Sequence, residues 1–261
     1  MNARQRFKRI KNYCLYYGQG RAEMMTPFDL AVVEPSGQDE SGRRLLKDNG
    51  TLVAGYVSVL EFPRDRCREM KLAAGDLLCS GSTPLLNTYY NNKIMDPRSE
   101  RCRQILWERA SRLIEGQGYD GIFLDTIGDV EDERLAPDAS GPVLIAAAKL
   151  VYDLRKTYPE HILIQNSGLI NLWELTARYV DAFCWENFHQ VLDLDPGQAL
   201  AMARRLFRAG ALYGPRTLLL AGIEGVSGRV KKYVEFAREM GFPIFLTQPG
   251  YTVFPASNRL I

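Results

Sequence analysis

Apolar residues in this chain fall into short, nearly unbroken runs, and between most of those runs they recur at helical spacing. Runs at 13–17, 28–34, 52–59, 119–126, 161–166, 180–188, 217–222 and 243–248 are each bounded by Gly, Pro or polar clusters. Such runs predict strands buried on both faces. Between them the pattern predicts helices near 41–49, 97–115, 142–157, 172–179, 196–209 and 229–240, with Gly50 and Gly241 as stops and Pro142 in a first turn. Eight strands alternating with helices predict an α/β fold, a parallel sheet closed as a single-domain (β/α)8 TIM barrel over residues 13–261. An open doubly wound sheet is the rival, but the first strand is not followed by G-x-G-x-x-G, and polar strand endings occur all round the sheet. Residues 61–96 break the alternation with turn formers and aromatics, a long insertion expected to face substrate.

Side chains alternate along a strand, so Asp125 shares a face with Phe123 and Gly121, and Glu186 with Cys184 and Ala182. Both acids close their strands, at the barrel end where chemistry is carried out. The same count brings Tyr17, Glu34, Tyr56 and Asn166 to that rim, with Glu61, Asp129 and Glu224 on loops just beyond it. Acids are rarely buried without a partner, so such a ring predicts a site. Two carboxyl groups facing one mouth fit glycosidic-bond cleavage, in which one protonates the leaving oxygen and the other attacks or activates water. Trp185 and Phe188 beside Glu186 favour it as the proton donor and Asp125 as nucleophile, with the exchanged roles left open.

At 261 residues, 46% apolar and 25% charged, the chain is long enough for one full core and too regular in composition for extended disorder. Net charge is +2, but Arg4, Arg6, Lys8, Arg9 and Lys11 crowd the start, so residues 1–12 are expected as a solvated basic tail that binds no nucleic acid. No apolar run is long enough to cross a membrane, and the start lacks the apolar stretch of a signal peptide. Five scattered cysteines without C-x-x-C, and only two histidines, argue against a disulfide framework and a zinc site, so neither metal nor cofactor is expected. No lysine ends a strand, which argues against Schiff-base chemistry. The glycine-rich turn 222–229 leaves a phosphosugar-binding barrel as one alternative. A glycan-binding barrel without turnover is the other. The partner in the leading reading is a polysaccharide or oligosaccharide, bound by a monomer.

The segments Phe28-Asp29-Leu30-Ala31-Val32-Val33-Glu34, Gly55-Tyr56-Val57-Ser58-Val59-Leu60-Glu61, Ile94-Met95-Asp96-Pro97, Gly118 to Thr126 and Trp185-Glu186 resemble glycoside hydrolase family 114. They resemble still more the related family 166, that of the Pel-polysaccharide hydrolase domains. The resemblance runs from about residue 13 to 261. It implies a (β/α)8 barrel, endo-acting hydrolysis of galactosamine-rich polymers such as those of biofilm matrices, and export. It implies catalytic roles for Asp125 and Glu186, and substrate contacts from Glu34, Tyr56, Glu61, Asp96 and Asn166. The stretches 221–224 and 247–251 depart from the family pattern, where an Asp is common.

Overall fold

The computed structural model describes residues 1–67, 69–222 and 228–254. Eight strands form one all-parallel sheet in chain order: β1 (Cys14–Tyr16), β2 (Leu30–Val33), β3 (Leu52–Ser58), β4 (Gly121–Asp125), β5 (Ile162–Asn166), β6 (Ala182–Glu186), β7 (Arg216–Gly222) and β8 (Ile244–Thr247). Nearly every strand residue is buried, as expected of a sheet covered by helices outside and by its own side chains within. The sheet curls into a nearly closed barrel. Its first and last strands meet through side chains, with the Tyr13 ring 6.1 Å from Phe245, and the Tyr13 hydroxyl reaches past them to donate to Leu219 O in β7 at 2.7 Å. Above them Tyr17 N–H donates to Tyr251 O at 2.8 Å.

Close packing explains two glycines. A Cβ on Gly121 would fall 2.4 Å from Ile162 O, so the β4–β5 approach needs glycine there. A Cβ on Gly55 would lie 2.9 Å from Leu113 Cδ1, on the helical segment that covers β3. That segment is an α-helix at Glu100–Ser111, capped by the Ser99 hydroxyl, which widens into a π-turn at Arg112–Gly116. Such turns are uncommon and recur near functional sites.

Three expectations need amendment. Residues 1–12 are no solvated tail: Ala3–Phe7 is a short helix, Phe7 and Ile10 are buried, and Arg4 Nε meets Asp181 Oδ1 at 2.8 Å. Arg155 holds the other oxygen of Asp181, so basic side chains from both chain regions neutralise one buried acid at the barrel floor. The helix predicted from residue 142 starts at Pro137, which takes the first-turn position and leaves Pro142 inside. After β6 an additional helix, Phe188–Leu194, takes up residues assigned to the strand end and its loop.

The insertion after β3 is ordered by short antiparallel pairings, Glu61–Pro63 with Asn92–Ile94 and the latter with Leu86–Asn87. It stands over the carboxyl ends of the strands. Among the described residues no helix is long and apolar enough to cross a membrane.

Candidate active site

Asp125, Asn166 and Glu186 are the last residues of three neighbouring strands, β4, β5 and β6. In each case the next residue adopts the left-handed conformation without being glycine: Thr126 at φ 62°, Ser167 at 60° and Asn187 at 54°. The backbone therefore turns off each strand in the same sense, and the terminal side chain is left pointing into the barrel mouth. Left-handed backbone at a side-chain-bearing residue costs on the order of 1 kcal/mol or more and clusters at functional sites.

Between the two acids stands Asn166. Its Nδ2 donates to Asp125 Oδ1 at 2.7 Å and to Glu186 Oε2 at 2.6 Å. Because both contacts share one nitrogen, those oxygens lie no farther apart than the two distances laid end to end, about 5.3 Å. Asn166 is buried, and its Oδ1 has no hydrogen-bond partner among the described residues. The Thr126 backbone and the Tyr56 hydroxyl lie beside Asp125 and favour its charged form. Burial first, and then the charge of Glu186, nevertheless raise its carboxyl from 3.8 to about 6. Glu186 Oε1 accepts from the Tyr251 hydroxyl.

A cleft of about 520 Å³ opens over these groups, and Tyr17, Glu34, Tyr56, Glu61, Asp129 and Tyr90 help to line it. Tyr17 packs edge-on against Tyr56 at 4.8 Å and Tyr251 at 5.6 Å. Burial holds all three phenols above their ordinary value, so they remain hydrogen-bond donors at neutral pH. Glu34 caps the turn after β2, its Oε1 accepting from Ser36 Oγ at 3.1 Å. Glu61 is buried, and the insertion takes up both its oxygens: Asn87 Nδ2 donates to one at 2.7 Å and Asn92 Nδ2 to the other at 2.8 Å. Asp129 faces Glu61 closely enough for a hydrogen bond, and its carboxyl is pushed well above the usual range, by burial first and Glu61 second.

Asp125, Glu186, Tyr17, Glu34, Tyr56, Glu61 and Asn166 are thus gathered at one mouth. Asp96 is not. Its carboxylate is gripped by Arg98 through both Nε and Nη2, and it does not line the cleft. Glu224 and most of the glycine-rich turn lie outside the described residues. Trp185 and Phe188 pack outward with Phe236, so they form no apolar wall for Glu186. Sequence reasoning missed Tyr251, which reaches Glu186 from a turn with φ 56° after Gly250. Its only local signal was the Pro249-Gly250 pair. Tyr90, at the tip of the insertion, was signalled only collectively, as one of the aromatics in a stretch expected to face substrate.

Fold and site together define a parallel (β/α)8 barrel with paired carboxylates at the carboxyl ends of its strands. The same barrel occurs in solved glycoside hydrolases. The glycoside hydrolase domain of PelA from Pseudomonas aeruginosa superimposes with a TM-score of 0.75 at 21% identity, over 94% of this chain and 97% of that one. Ega3 from Aspergillus fumigatus, solved in complex with galactosamine, matches with a TM-score of 0.68 at 13% identity, over 92% of each chain. The α-galactosidase TtGalA from Thermus thermophilus, in complex with stachyose, gives 0.61 at 13%, over 96% of this chain and 64% of that one. No protein-family model and no curated protein sequence matches the chain.

Proposed function

We propose that the protein is a retaining, endo-acting glycoside hydrolase of an amino-sugar polysaccharide rich in galactosamine. The observation that carries this reading is the Asn166 bridge, whose one amide nitrogen donates to both Asp125 and Glu186, so that their facing oxygens lie no more than about 5.3 Å apart and can act on one bond. Retention is the part of the reading that the product anomer tests. Retaining enzymes hold their two carboxyl groups about 5–5.5 Å apart, whereas inverting enzymes need roughly 6.5–9.5 Å to admit a water.

In this mechanism Glu186 gives its proton to the leaving glycosidic oxygen while the Asp125 carboxylate attacks the anomeric carbon. The carbon–oxygen bond breaks, and the sugar is held as an ester of Asp125. Glu186 then takes a proton from water, which attacks the same carbon and frees Asp125, so two displacements restore the starting configuration. Asp125 is assigned the nucleophile because Asn166 donates to it and steadies the charge it regains; the alternative is the exchanged roles, with the raised Asp125 carboxyl as proton donor. The surrounding acids, Glu34 and Glu61 among them, complement the ammonium groups of a de-N-acetylated polymer. The likeness to Ega3, solved in complex with galactosamine, supports that choice of substrate class.

The test is release of reducing ends from galactosamine polymers by wild type, Asp125→Asn and Glu186→Gln, with the first-formed anomer followed by NMR. Loss of activity in both variants, and a first-formed product with the anomeric configuration of the bond cleaved, are expected. Equal activity in all three proteins, or an inverted product, would refute the mechanism.

A further inference from the structure

The tip of the insertion, the loop 88–91, holds two aromatic side chains in water. Tyr89 is 83% exposed and Tyr90 64%, with their rings edge-on to each other at 4.6 Å. A large aromatic left in water forgoes the stabilisation that burial would give it, so an adjacent pair held there marks a surface that something else covers. Tyr90 also lines the catalytic cleft with Asp125 and Glu186, so the pair continues the cleft wall outward. Burial first, and then the charge of Glu186, raise the Tyr90 phenol, which stays neutral at ordinary pH.

A relay of hydrogen bonds holds the pair in place, and it starts at the catalytic strand. Thr126, the residue after Asp125, accepts at Oγ1 from the backbone N–H groups of Leu60 at 2.9 Å and Glu61 at 3.2 Å. Ser58 Oγ donates to Glu61 O at 2.8 Å, which fixes the root of the insertion from the other side. The Glu61 carboxylate then takes one side-chain amide from each end of the tip loop, Asn87 and Asn92, which pair with each other across it. Asn87 Oδ1 in turn accepts from the N–H groups of Tyr89 at 3.1 Å and Tyr90 at 3.4 Å. Arg134 steadies the same hairpin, its Nη1 donating to Leu86 O at 3.1 Å. A tyrosine on a backbone pinned in this way has two side-chain torsions left to fix, so a ligand that lies on it costs little ordering entropy.

We propose that Tyr89 and Tyr90 are a stacking platform for sugar residues that lie beyond the point of cleavage, and that Glu61 and Asn87 are the positioning residues that hold this platform over the cleft. The C–H face of a pyranose ring packs on the electron-rich face of a phenol, and an ammonium group on that sugar adds to the attraction. The proposal rests on the glycan-hydrolase reading and deepens it. Grip on several consecutive residues is what an enzyme that cuts within a chain requires, and the tyrosines supply it outside the reacting groups.

The experiment is calorimetric binding of a galactosamine disaccharide and hexasaccharide to Asp125→Asn, which stops turnover, with Tyr89→Ala, Tyr90→Ala, both together, or the matching Phe variants. Both side chains are exposed, so thermal unfolding should barely change. Each Ala should weaken the hexasaccharide about fivefold and the pair at least tenfold, with a smaller loss for the disaccharide, while the Phe variants stay within about twofold of the parent. Asn87→Ala cuts the relay without removing a charge. It should weaken the hexasaccharide in the parent and have no further effect once both tyrosines are Ala, as expected of a residue that acts through them. An unchanged affinity in the double Ala variant, equal losses from Phe and Ala, equal losses for the two chain lengths, or an Asn87→Ala loss that adds to that of the rings would overturn the proposal. A parent that binds neither oligosaccharide would sink it together with the substrate it assumes. Binding that ignores both rings would sink it alone and leave the reducing-end assay free to succeed.

Discussion

Replacing Asp125 by Asn should abolish turnover and make the folded protein more stable at neutral pH. The carboxyl moves from 3.8 to about 6 on folding, so its charged form is disfavoured in the fold by roughly 3 kcal/mol. The cleft is open to solvent, which reduces the penalty to roughly 1–3 kcal/mol. A raised acid binds its proton more tightly folded than unfolded, so the penalty is absent below about pH 4, grows between pH 4 and 6, and is complete above pH 6. Asn carries no charge at any pH and keeps an oxygen for Asn166. Urea or calorimetric unfolding at pH 7.5 should therefore favour Asp125→Asn, by about 2–4 °C in Tm per kcal/mol for a chain of this size. At pH 4 the two proteins should coincide. A variant no more stable than wild type at pH 7.5, or an advantage that survives at pH 4, would refute the idea that the barrel mouth holds Asp125 against its own charge.

The remaining predictions concern activity and local strain. If Asp125 is the nucleophile it must be ionised, so kcat/KM should rise through about pH 6, and a profile that falls there would exchange its role with that of Glu186. Ser167→Gly should relieve left-handed strain and add about 1 kcal/mol of stability, while activity falls severalfold as the strand end that carries Asn166 loosens. Denaturant midpoint and kcat, measured together, check both halves. Asp96→Asn should cost about 1 kcal/mol through the weakened Arg98 clamp and leave kcat/KM within about twofold, whereas a substrate contact would change KM.

The barrel was legible because each strand is an apolar run too short to be anything else, and because alternation along a strand assigns Asp125 and Glu186 to one interior. Asn166 was legible for the same reason, as the polar end of 161–166, but its bridging contact depends on the lateral register of β4, β5 and β6. Alternation within one strand carries no information about that register. Asp96 was misplaced because position near the mouth does not determine where a carboxylate points, and Arg98 two residues on captures it. The basic start was misread because charge density does not reveal that Asp181 lies buried beneath it. Tyr251 was hidden for a different reason. It reaches Glu186 only because a non-glycine residue adopts positive φ, which composition does not announce.

The join between β1 and β8 gives the barrel a place to breathe. Among the described residues, seven strand pairs are laced by ladders, whereas this one is joined by ring contacts, Tyr13 and Phe28 on Phe245, Tyr16 on Phe254 and Tyr17 on Tyr251, and by a backbone bond from Tyr17 to Tyr251. Amide exchange should accordingly be fastest along the facing edges of these two strands and slowest in β4 and β5. Opening there would draw Tyr251 off Glu186, so the slackest part of the cylinder is coupled to one of the two acids that Asn166 bridges. Anything that presses on the mouth would meet a wall able to yield on one side only.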